Sequence, residues 1–466
     1  MTQHRDFEVS RITPELLARY DRPGPRYTSY PTAPHFHEDF SEEGYRERLT
    51  DAAGRSDEPL SMYLHIPFCE AHCTYCGCNV VIAPHRGPEI DYLETVEREL
   101  DLLSDALGNR RRLNQLHWGG GTPTYLTPEQ CRRLFGAISD RFEITDGAEV
   151  ALEADPSVTT DEHLAALREL GFNRLSMGVQ DVNPEVQEAV ARPQPIERTR
   201  ELVEGARRLG FASINLDLIY GLPQQTEASF RDSVRTVINE FAPDRVACFS
   251  YAHVPWIKPH QRQLDEDTMP KGWDKFRIFV GAAEEFAAAG YRFVGFDHFA
   301  RPDDELALAL DEGRLHRNFM GYTVMPASDQ IGVGVTAIGE LAGAYAANNR
   351  NLARYQRTVA DGRLPVDRGI RRTAEDELRG SVIRGIICTL RLDFDEVQRE
   401  FGVDPANHFA DALAELSPMV DDGLVEIGDR ELRVTPRGRF FLRNVCMPFD
   451  AYLAGPTEKP VFSRTV

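Results

Sequence analysis

The sequence predicts an α/β fold: a parallel sheet of six strands, each followed by a helix, with an irregular N-terminal arm and a mostly helical C-terminal region. Two observations carry this. Short apolar runs alternate six times with segments whose apolar residues recur at helical spacing, and such alternation implies a parallel sheet with helices outside it. Polar and glycine residues also cluster just after each strand, six times in a row. In parallel barrels that C-terminal edge carries the chemistry.

In chain order, Leu60–Ile66 is the first strand, and Ile90, Leu93, Val96, Leu100, Leu103 and Leu107 mark its helix. Leu113–Trp118 is the second strand. Thr127-Pro128-Glu129-Gln130 then opens a helix with a capping box and proline at the first helical position. Val150–Glu153 is the third strand, and Thr159-x-x-Glu162 is expected to cap its helix. Leu175–Gly178 is the fourth, with a helix stopping at Gly210. Ile214–Ile219 is the fifth, followed by a helix through Phe230, Val234 and Val237. Val246–Ser250 is the sixth, followed by a long helix ending near Gly290. Residues 1–55 are expected to hold one helix, from Thr13-Pro14, and then the arm 23–31, whose prolines and glycine forbid a long helix. From about residue 361 to 466, helices and a strand pair around 424–434 form a winged-helix-like appendage. The expected divisions are 1–55, 56–360 and 361–466.

Lys and Arg number 53 against 74 Asp and Glu, a net charge of −21, which disfavours a nucleic-acid partner. No run of eighteen apolar residues occurs, so no membrane span is expected. The N-terminus has no apolar h-region and carries acids, so it reads as mature sequence. Reduced cysteines suit a cytoplasmic setting.

Four of the eight cysteines, Cys69, Cys73, Cys76 and Cys78, lie on one short loop after the first strand. The first three have the spacing C-x3-C-x2-C. Three thiolates hold three irons of a [4Fe–4S] cube and leave the fourth iron open to a substrate or cosubstrate. Structural zinc takes two separated ligand pairs, and no second pair follows. The bacterial ferredoxin run has a different spacing. Cys131, Cys248, Cys388 and Cys446 are isolated and expected to be buried as small apolar side chains.

With these motifs, and with RYTSYPTAPHF, YLHIPFC, CGCN, LHWGGGTPTYL, NRLSMGVQD, DLIYGLP, FDHFARPDDELA, LHRNF, GYT and RNVCM-FD, the chain from about residue 20 onward resembles the oxygen-independent coproporphyrinogen III oxidase (coproporphyrinogen dehydrogenase) family of radical S-adenosylmethionine (SAM) enzymes. The resemblance implies a partial (β/α)6 TIM-like barrel, one [4Fe–4S] cluster on Cys69, Cys73 and Cys76, and two SAM molecules. Tyr63, Gly120, Glu153 and the backbone of Ile338 would contact the first, with Gly120 allowing close approach and Glu153 binding the ribose hydroxyls. Tyr75, Gly121, Thr122, Gln180, Arg192, Asp217 and Ala252 would contact the second. Taken singly, Asp217 also reads as a buried strand-end acid, Arg192 as a solvated helix charge and Tyr75 as a surface aromatic.

The implied reaction is oxidative decarboxylation of two propionates of coproporphyrinogen III to vinyl groups, giving protoporphyrinogen IX. A low-potential donor such as flavodoxin or ferredoxin would supply electrons to a cytoplasmic monomer. Four propionates call for cationic partners, and Arg22, Arg26, His298, Arg301 and Arg317 are the candidates, each of which also reads as a surface charge. The 20–36 arm is expected to cover the substrate and exclude water. Cys78 is one thiol too many for an open cube and is read as a non-ligand thiol near the substrate, the alternative being a fourth ligand. Met320 stands where the family often has glutamine. Two other functions are weighed. A haem-binding carrier of the same superfamily usually lacks the fourth cysteine and this N-terminus. An iron–sulfur electron-transfer or scaffold protein needs no SAM pocket, against which Gly119–Thr122 and Glu153 argue.

Overall fold

The computed structural model describes residues 7–9, 11–453 and 462–465. Two compact units divide the chain. One gathers His35–Asp217 with Met325–Arg372; the other gathers Met1–Pro34, Leu218–Val324 and Thr373–Val466. These units are interleaved along the chain. The main strands, in chain order, are β1 (Leu60–Ile66), β2 (Arg112–Gly120), β3 (Glu143–Ala154), β4 (Arg174–Gln180), β5 (Ser213–Tyr220), β6 (Arg245–Ser250), β7 (Arg292–Val294), β8 (His298–Ala300), β9 (Asp329–Val333), β10 (Ile338–Leu341), β11 (Ala344–Asn348) and β12 (Val366–Arg371). The first six are the six expected, each extended by a few residues or less at its ends, except that β3 starts seven residues earlier, at Glu143.

The unit that carries the cysteine loop has the strand order β12-β11-β10-β9-β1-β2-β3-β4-β5. Strands β1 to β4 pair in parallel, with Tyr63 opposite His117, Trp118 opposite Leu152 and Leu152 opposite Leu175. On the free side of β1, β9 adds in parallel, and β9 to β12 continue as an antiparallel meander. That extension reads poorly in sequence because its strands are short and rich in alanine and glycine.

Alternation along the strands sorts side chains onto two faces. Met62, Leu64, Ile66, Leu116, Trp118, Leu152, Leu175 and Met177 are buried on one face. Trp118 meets Phe135 of the helix Pro128–Ser139 and Phe172 beyond the next helix. The other face is polar. Ser61 donates to Gln115 (3.1 Å), Gln115 to Glu149 (2.8 Å), and Arg174 pairs with Glu149 (2.8 Å). Buried polar groups must find partners, and this row satisfies itself across four strands. The interior is therefore free to present polar chemistry nearer the C-terminal edge.

Capping agrees with the sequence at Thr127, whose reciprocal box with Gln130 is complete. It differs at the next helix: Thr160, not Thr159, is the N-cap, paired with His163. Thr159 instead donates to Asp155 O (2.7 Å) and meets Thr124 (2.9 Å). A second correction concerns residues 1–55, whose described part holds two α-helices, Pro14–Tyr20 and Glu42–Ala53. The second has few apolar positions, but Ser41 caps it and Tyr45, Leu49 and Ala52 bury one stripe. No described helix is long and apolar enough to cross a membrane.

The other unit has its own order: the end of β5, then β6, β8 and β7. The C-terminal part adds a sheet in the order 391–393, 431–434, 425–427, one strand more than the pair expected. Cys131, Cys248, Cys388 and Cys446 are buried.

One buried acid ties the meander of the cysteine-loop unit to its first long helix. Glu99, on helix Pro88–Leu107, accepts from Tyr355 Oη (2.6 Å), Gly334 N (2.7 Å) and Asn348 Nδ2 (2.6 Å). Burial pushes its carboxyl up to about 7, against the three donors that pull it down. The folded protein thus holds a proton that the unfolded chain releases between about pH 4.5 and 7, so this contribution weakens as pH rises through that window. We expect the stability of the wild type relative to Glu99→Gln, measured by urea unfolding, to fall by on the order of 3 kcal/mol across it.

Candidate functional site

The site lies in the cysteine-loop unit, at the C-terminal edge of β1 to β5. Its scaffold is a glycine turn. Gly121 N–H donates to Ile66 O (2.8 Å) and Thr122 N–H to Phe68 O (2.9 Å), so the turn after β2 holds the chain as it leaves β1. A Cβ on Gly121 would sit 2.6 Å from Pro67 O. Phe68–Cys69 then pairs in parallel with Val81–Ile82. The far end of the loop is held by His65, whose Nε2–H donates to Asn79 O (3.0 Å), a carbonyl that can only accept. His65 Nδ1 is therefore the acceptor, and Tyr63 Oη–H donates to it (3.1 Å). Burial holds the His65 imidazole below its ordinary range, consistent with the neutral ring these bonds require. Gly120 has φ +121°, and a Cβ there would meet the His65 ring at 2.8 Å. Its missing side chain makes room for His65, a reason the sequence did not reveal.

Between these clamps stand the thiols. Cys69 Sγ lies 3.4 Å from Thr122 Oγ1. Arg192 Nη1 donates to Cys73 Sγ (3.4 Å) and pairs with Asp155 (2.9 Å), while its Nη2 donates to Gly178 O (2.9 Å). Burial pushes the Cys69 thiol up to about 11, and Cys76 and Cys73 push the same way. Cys78 is exposed, and its hydrogen bond with Cys76 raises its thiol.

Glu153, at the end of β3, accepts from Gly120 N (3.1 Å) and faces His117 Nε2 (3.5 Å). His117 stacks on Tyr63 with ring centroids 6.0 Å apart. Burial raises the Glu153 carboxyl, but His117 and the Gly120 N–H outweigh it, and the acid stays below its ordinary range. It is an ionised acceptor at the strand edge.

On β4, Gln180 adopts φ +67°, a strained conformation of the kind that clusters at functional sites. Gln180 Oε1 and Arg192 Nε are buried without a hydrogen-bond partner. Asp217 accepts from Asn215 (2.7 Å) and Ser176 (3.3 Å). Tyr75 and Arg192 interact electrostatically, with burial raising the phenol well above its ordinary range. Ile338 opens β10, and its carbonyl accepts from Gln330 Nε2 (3.2 Å). In the same segment a Cβ on Gly334 would meet His65 O at 2.7 Å.

The donor set fits an iron–sulfur cluster with a polar cosubstrate. Among the described residues no three His, Cys, Asp or Glu side chains close round a single ion; a cube asks only one thiolate per iron. The unpartnered atoms of Gln180 and Arg192 suit a ligand with donors and acceptors of its own.

The remaining candidates lie in the other unit. Asp297 hydrogen-bonds His298 (2.6 Å). Burial raises the Asp297 carboxyl, but His298, Arg317 and Arg26 outweigh it and hold it low. Arg317 lies over Phe296 (4.4 Å) and Tyr322 (4.9 Å), with Nε and Nη1 unpartnered. Arg26 donates to Ser250 O. Arg22 and Arg301 stand apart in exposed ion pairs with Glu415 (3.7 Å) and Asp303 (3.4 Å). Ala252 O accepts from Gln261 (3.4 Å), and Met320 N–H donates to Asn318 Oδ1 (2.9 Å). Sequence reading passed over His65, His117, Asp155 and Asp297, although YLHIPFC, LHWGGG and FDHFARP contain three of them.

Residues 63–237 match the model of the Radical SAM superfamily and residues 373–441 that of the HemN C-terminal domain. The chain is 44% identical over 451 residues to an oxygen-independent coproporphyrinogen III oxidase of Salmonella typhimurium, covering 97% of this chain and 98% of the relative. It is 42% identical over 461 residues to that of Pseudomonas aeruginosa, covering 98% and 100%. A solved structure, the coproporphyrinogen III oxidase (HemN) from Escherichia coli, described as a radical SAM enzyme, superimposes with a TM-score of 0.88 at 42% identity, covering 92% of this chain and 97% of that one.

The clamp predicts a specific weakness. Gly120→Ala places a methyl against His65 in a backbone conformation that disfavours any Cβ. It is expected to cost about 3 kcal/mol in urea unfolding, and Gly136→Ala, where a Cβ meets nothing within 4 Å, should cost none.

Proposed function

The chain belongs to the oxygen-independent coproporphyrinogen III oxidase family of the radical SAM superfamily, and we propose that it converts two propionates of coproporphyrinogen III to vinyl groups, yielding protoporphyrinogen IX. One observation carries this: three thiols on a loop clamped at both ends, beside an ionised Glu153 and the buried, unpartnered atoms of Gln180 and Arg192. Cys69, Cys73 and Cys76 would hold the cluster. When bound, the cluster and SAM supply a low-potential electron and an organic radical able to take hydrogen from unactivated carbon.

The chain's own groups bind, orient and protect. Glu153 accepts hydrogen bonds from the ribose hydroxyls of SAM, and His117 keeps it charged for that role. Tyr63 is oriented toward the same place by His65. The backbone at Gly120 and Ile338 completes the first SAM site. A second SAM would take the free acceptor of Gln180 and the free donor of Arg192, with Tyr75, Gly121, Thr122 and Asp217 around it. Cys78, exposed and outside the C-x3-C-x2-C triad, is the non-ligand thiol needed for turnover. His298, Arg317 and Arg26 supply cations for the propionates, and Asp297 fixes the His298 ring. Arg22 and Arg301, already paired at the surface, contribute little. Met320 cannot hydrogen-bond as glutamine would, so intermediate handling differs there. The enzyme would work as a cytoplasmic monomer, drawing electrons from a flavodoxin or ferredoxin.

Anaerobic reconstitution, followed by SAM, a reductant and coproporphyrinogen III, is expected to give 5′-deoxyadenosine with mono-vinyl and then divinyl product by chromatography. Cys69→Ser, Cys73→Ser and Cys76→Ser should each lose the brown absorbance. Cys78→Ser should keep it and lose turnover; bleaching of that variant would make Cys78 a ligand, and absence of vinyl products from the wild type would end the proposal.

A further inference from the structure

Residues 71–88, which hold most of the cysteine loop, include no Asp or Glu. Just past Cys78, Asn79 Nδ2 donates to Arg350 O (3.4 Å). That bond brings a second segment of the same unit against the loop, and the segment is rich in arginine. Between Arg350 and Arg372 stand seven arginines against two aspartates, in a chain whose net charge is −21. The segment comprises the helix Leu352–Ala360 and strand β12. Arg368 on β12 lies opposite Ala347 on β11, which folds the two ends of the segment together.

Arginine clusters elsewhere on the molecule are offset by acids. Arg231, Arg235 and Arg277 share Glu227, Glu284 and Glu285. Within the segment, Arg354, Arg371 and Arg372 are paired in the same way, with Asp367, Glu47 and Glu340. Among the described residues Arg350, Arg357, Arg363 and Arg368 pair with no carboxylate. The first three are exposed and Arg368 is half-buried. Burial, and after it the neighbouring charge of Arg350, pulls the Arg368 guanidinium below its ordinary range. Like charges left together repel, so a counter-charge arriving from outside is favoured here. The loop also shows apolar surface. Ile82 is one of seven large apolar side chains exposed among the described residues, at 39%. Its backbone lies against the first thiol: Ile82 pairs with Cys69, and Ala83 N–H donates to Cys69 O (2.9 Å).

We propose that this face, with Ile82 as its apolar centre and Arg350, Arg357, Arg363 and Arg368 as a basic rim, is the docking surface for an acidic one-electron carrier protein. A cluster on Cys69, Cys73 and Cys76 rests on the function proposed above. Given that cluster, its reductant must come close, and the pairing of Ile82 with Cys69 places this surface beside the first ligand. An apolar centre ringed by arginine is the composition of a protein-binding patch. The sign of the rim selects the partner. An acidic carrier is repelled by most of a chain of charge −21 and drawn to this one face, so the field sets its orientation as well as its rate of arrival. Redox encounters bury little area and depend on such steering. The carrier is oxidised by one electron as the cluster is reduced by one; no bond forms and no proton moves. A nucleic acid would call for a broader basic surface than four unpaired arginines.

The test titrates the full-length, cluster-reconstituted protein with flavodoxin, an acidic flavin carrier, by calorimetry. Stopped flow then follows bleaching of the cluster by flavodoxin hydroquinone. Combined Arg350→Glu, Arg357→Glu and Arg363→Glu should weaken flavodoxin binding at least about tenfold, and slow bleaching by a similar factor at subsaturating carrier. Raising salt from about 50 to about 300 mM should weaken the wild type far more than this variant. Bleaching by dithionite, which needs no docking, should be the same in both. Combined Arg208→Glu, Arg314→Glu and Arg430→Glu, at exposed positions, changes the net charge equally and should bind within about twofold of wild type. If the first variant fails to fold by circular dichroism, the matching glutamine triple decides, with a loss of about threefold. Undiminished flavodoxin binding in the rim variants, an equal loss in the control, or lost heparin binding with flavodoxin binding kept overturns the surface. The product assay on the wild type separates the two proposals. Vinyl products with undiminished variant binding sink the docking surface alone. Rim-dependent flavodoxin binding without vinyl products sinks the reaction alone.

Discussion

The cysteine loop has no secondary structure of its own to speak of, and everything chemical about this protein depends on where that loop is held. Two backbone hydrogen bonds from Gly121 and Thr122 fix its start, and the His65–Asn79 bond fixes its end. Both clamps need space that only glycine leaves. The Gly119-Gly120-Gly121 run is thus a steric requirement of β1 and its loop: Cβ atoms there would meet Glu153 and Tyr63, the His65 imidazole, and the Pro67 carbonyl in turn. The positions that hold the thiols also place the acceptor Glu153, because Gly120, whose missing Cβ leaves room for His65, donates its N–H to it.

The two faces of the parallel sheet have separate duties. Large apolar side chains pack the helix side and supply most of the stabilising burial. Polar side chains fill the opposite face and settle their own hydrogen bonds through Ser61, Gln115, Glu149 and Arg174. In many parallel barrels the interior is plugged by branched apolar layers. Here a polar floor replaces them, and the groups above it, from Tyr63 and His117 to Glu153 and Asp217, stand on a surface that already excludes stray unsatisfied partners.

Much of this was legible in the sequence. The β1 to β6 alternation, the Thr127 capping box and the C-x3-C-x2-C loop are local patterns, and local patterns survive folding. What escaped is non-local or faintly patterned. Half the residues of the helix Glu42–Ala53 are charged, and it shows only a thin apolar stripe. Thr159 and Thr160 both offer a hydroxyl, and only the backbone geometry selects the second. The β9 to β12 meander pairs through backbone rather than through a hydrophobic signature. At the site, three thiols stand out by their C-x3-C-x2-C spacing and Glu153 only through the family resemblance, while the fit of Gly120 depends on a histidine fifty-five residues away. Arg443 looks like an ordinary surface charge until folding buries it.

The parallel pairing of β9 with β1 has a consequence for synthesis. Leu60 faces Asp329, so the free edge of β1 waits for a partner about 270 residues later. At roughly 5–20 residues per second on the ribosome, that wait is on the order of 15–50 seconds. During it an apolar parallel strand offers unmet backbone donors and acceptors to any neighbouring nascent chain. The growing polypeptide therefore passes through its most aggregation-exposed stage with its thiols already made and its sheet still open on one side.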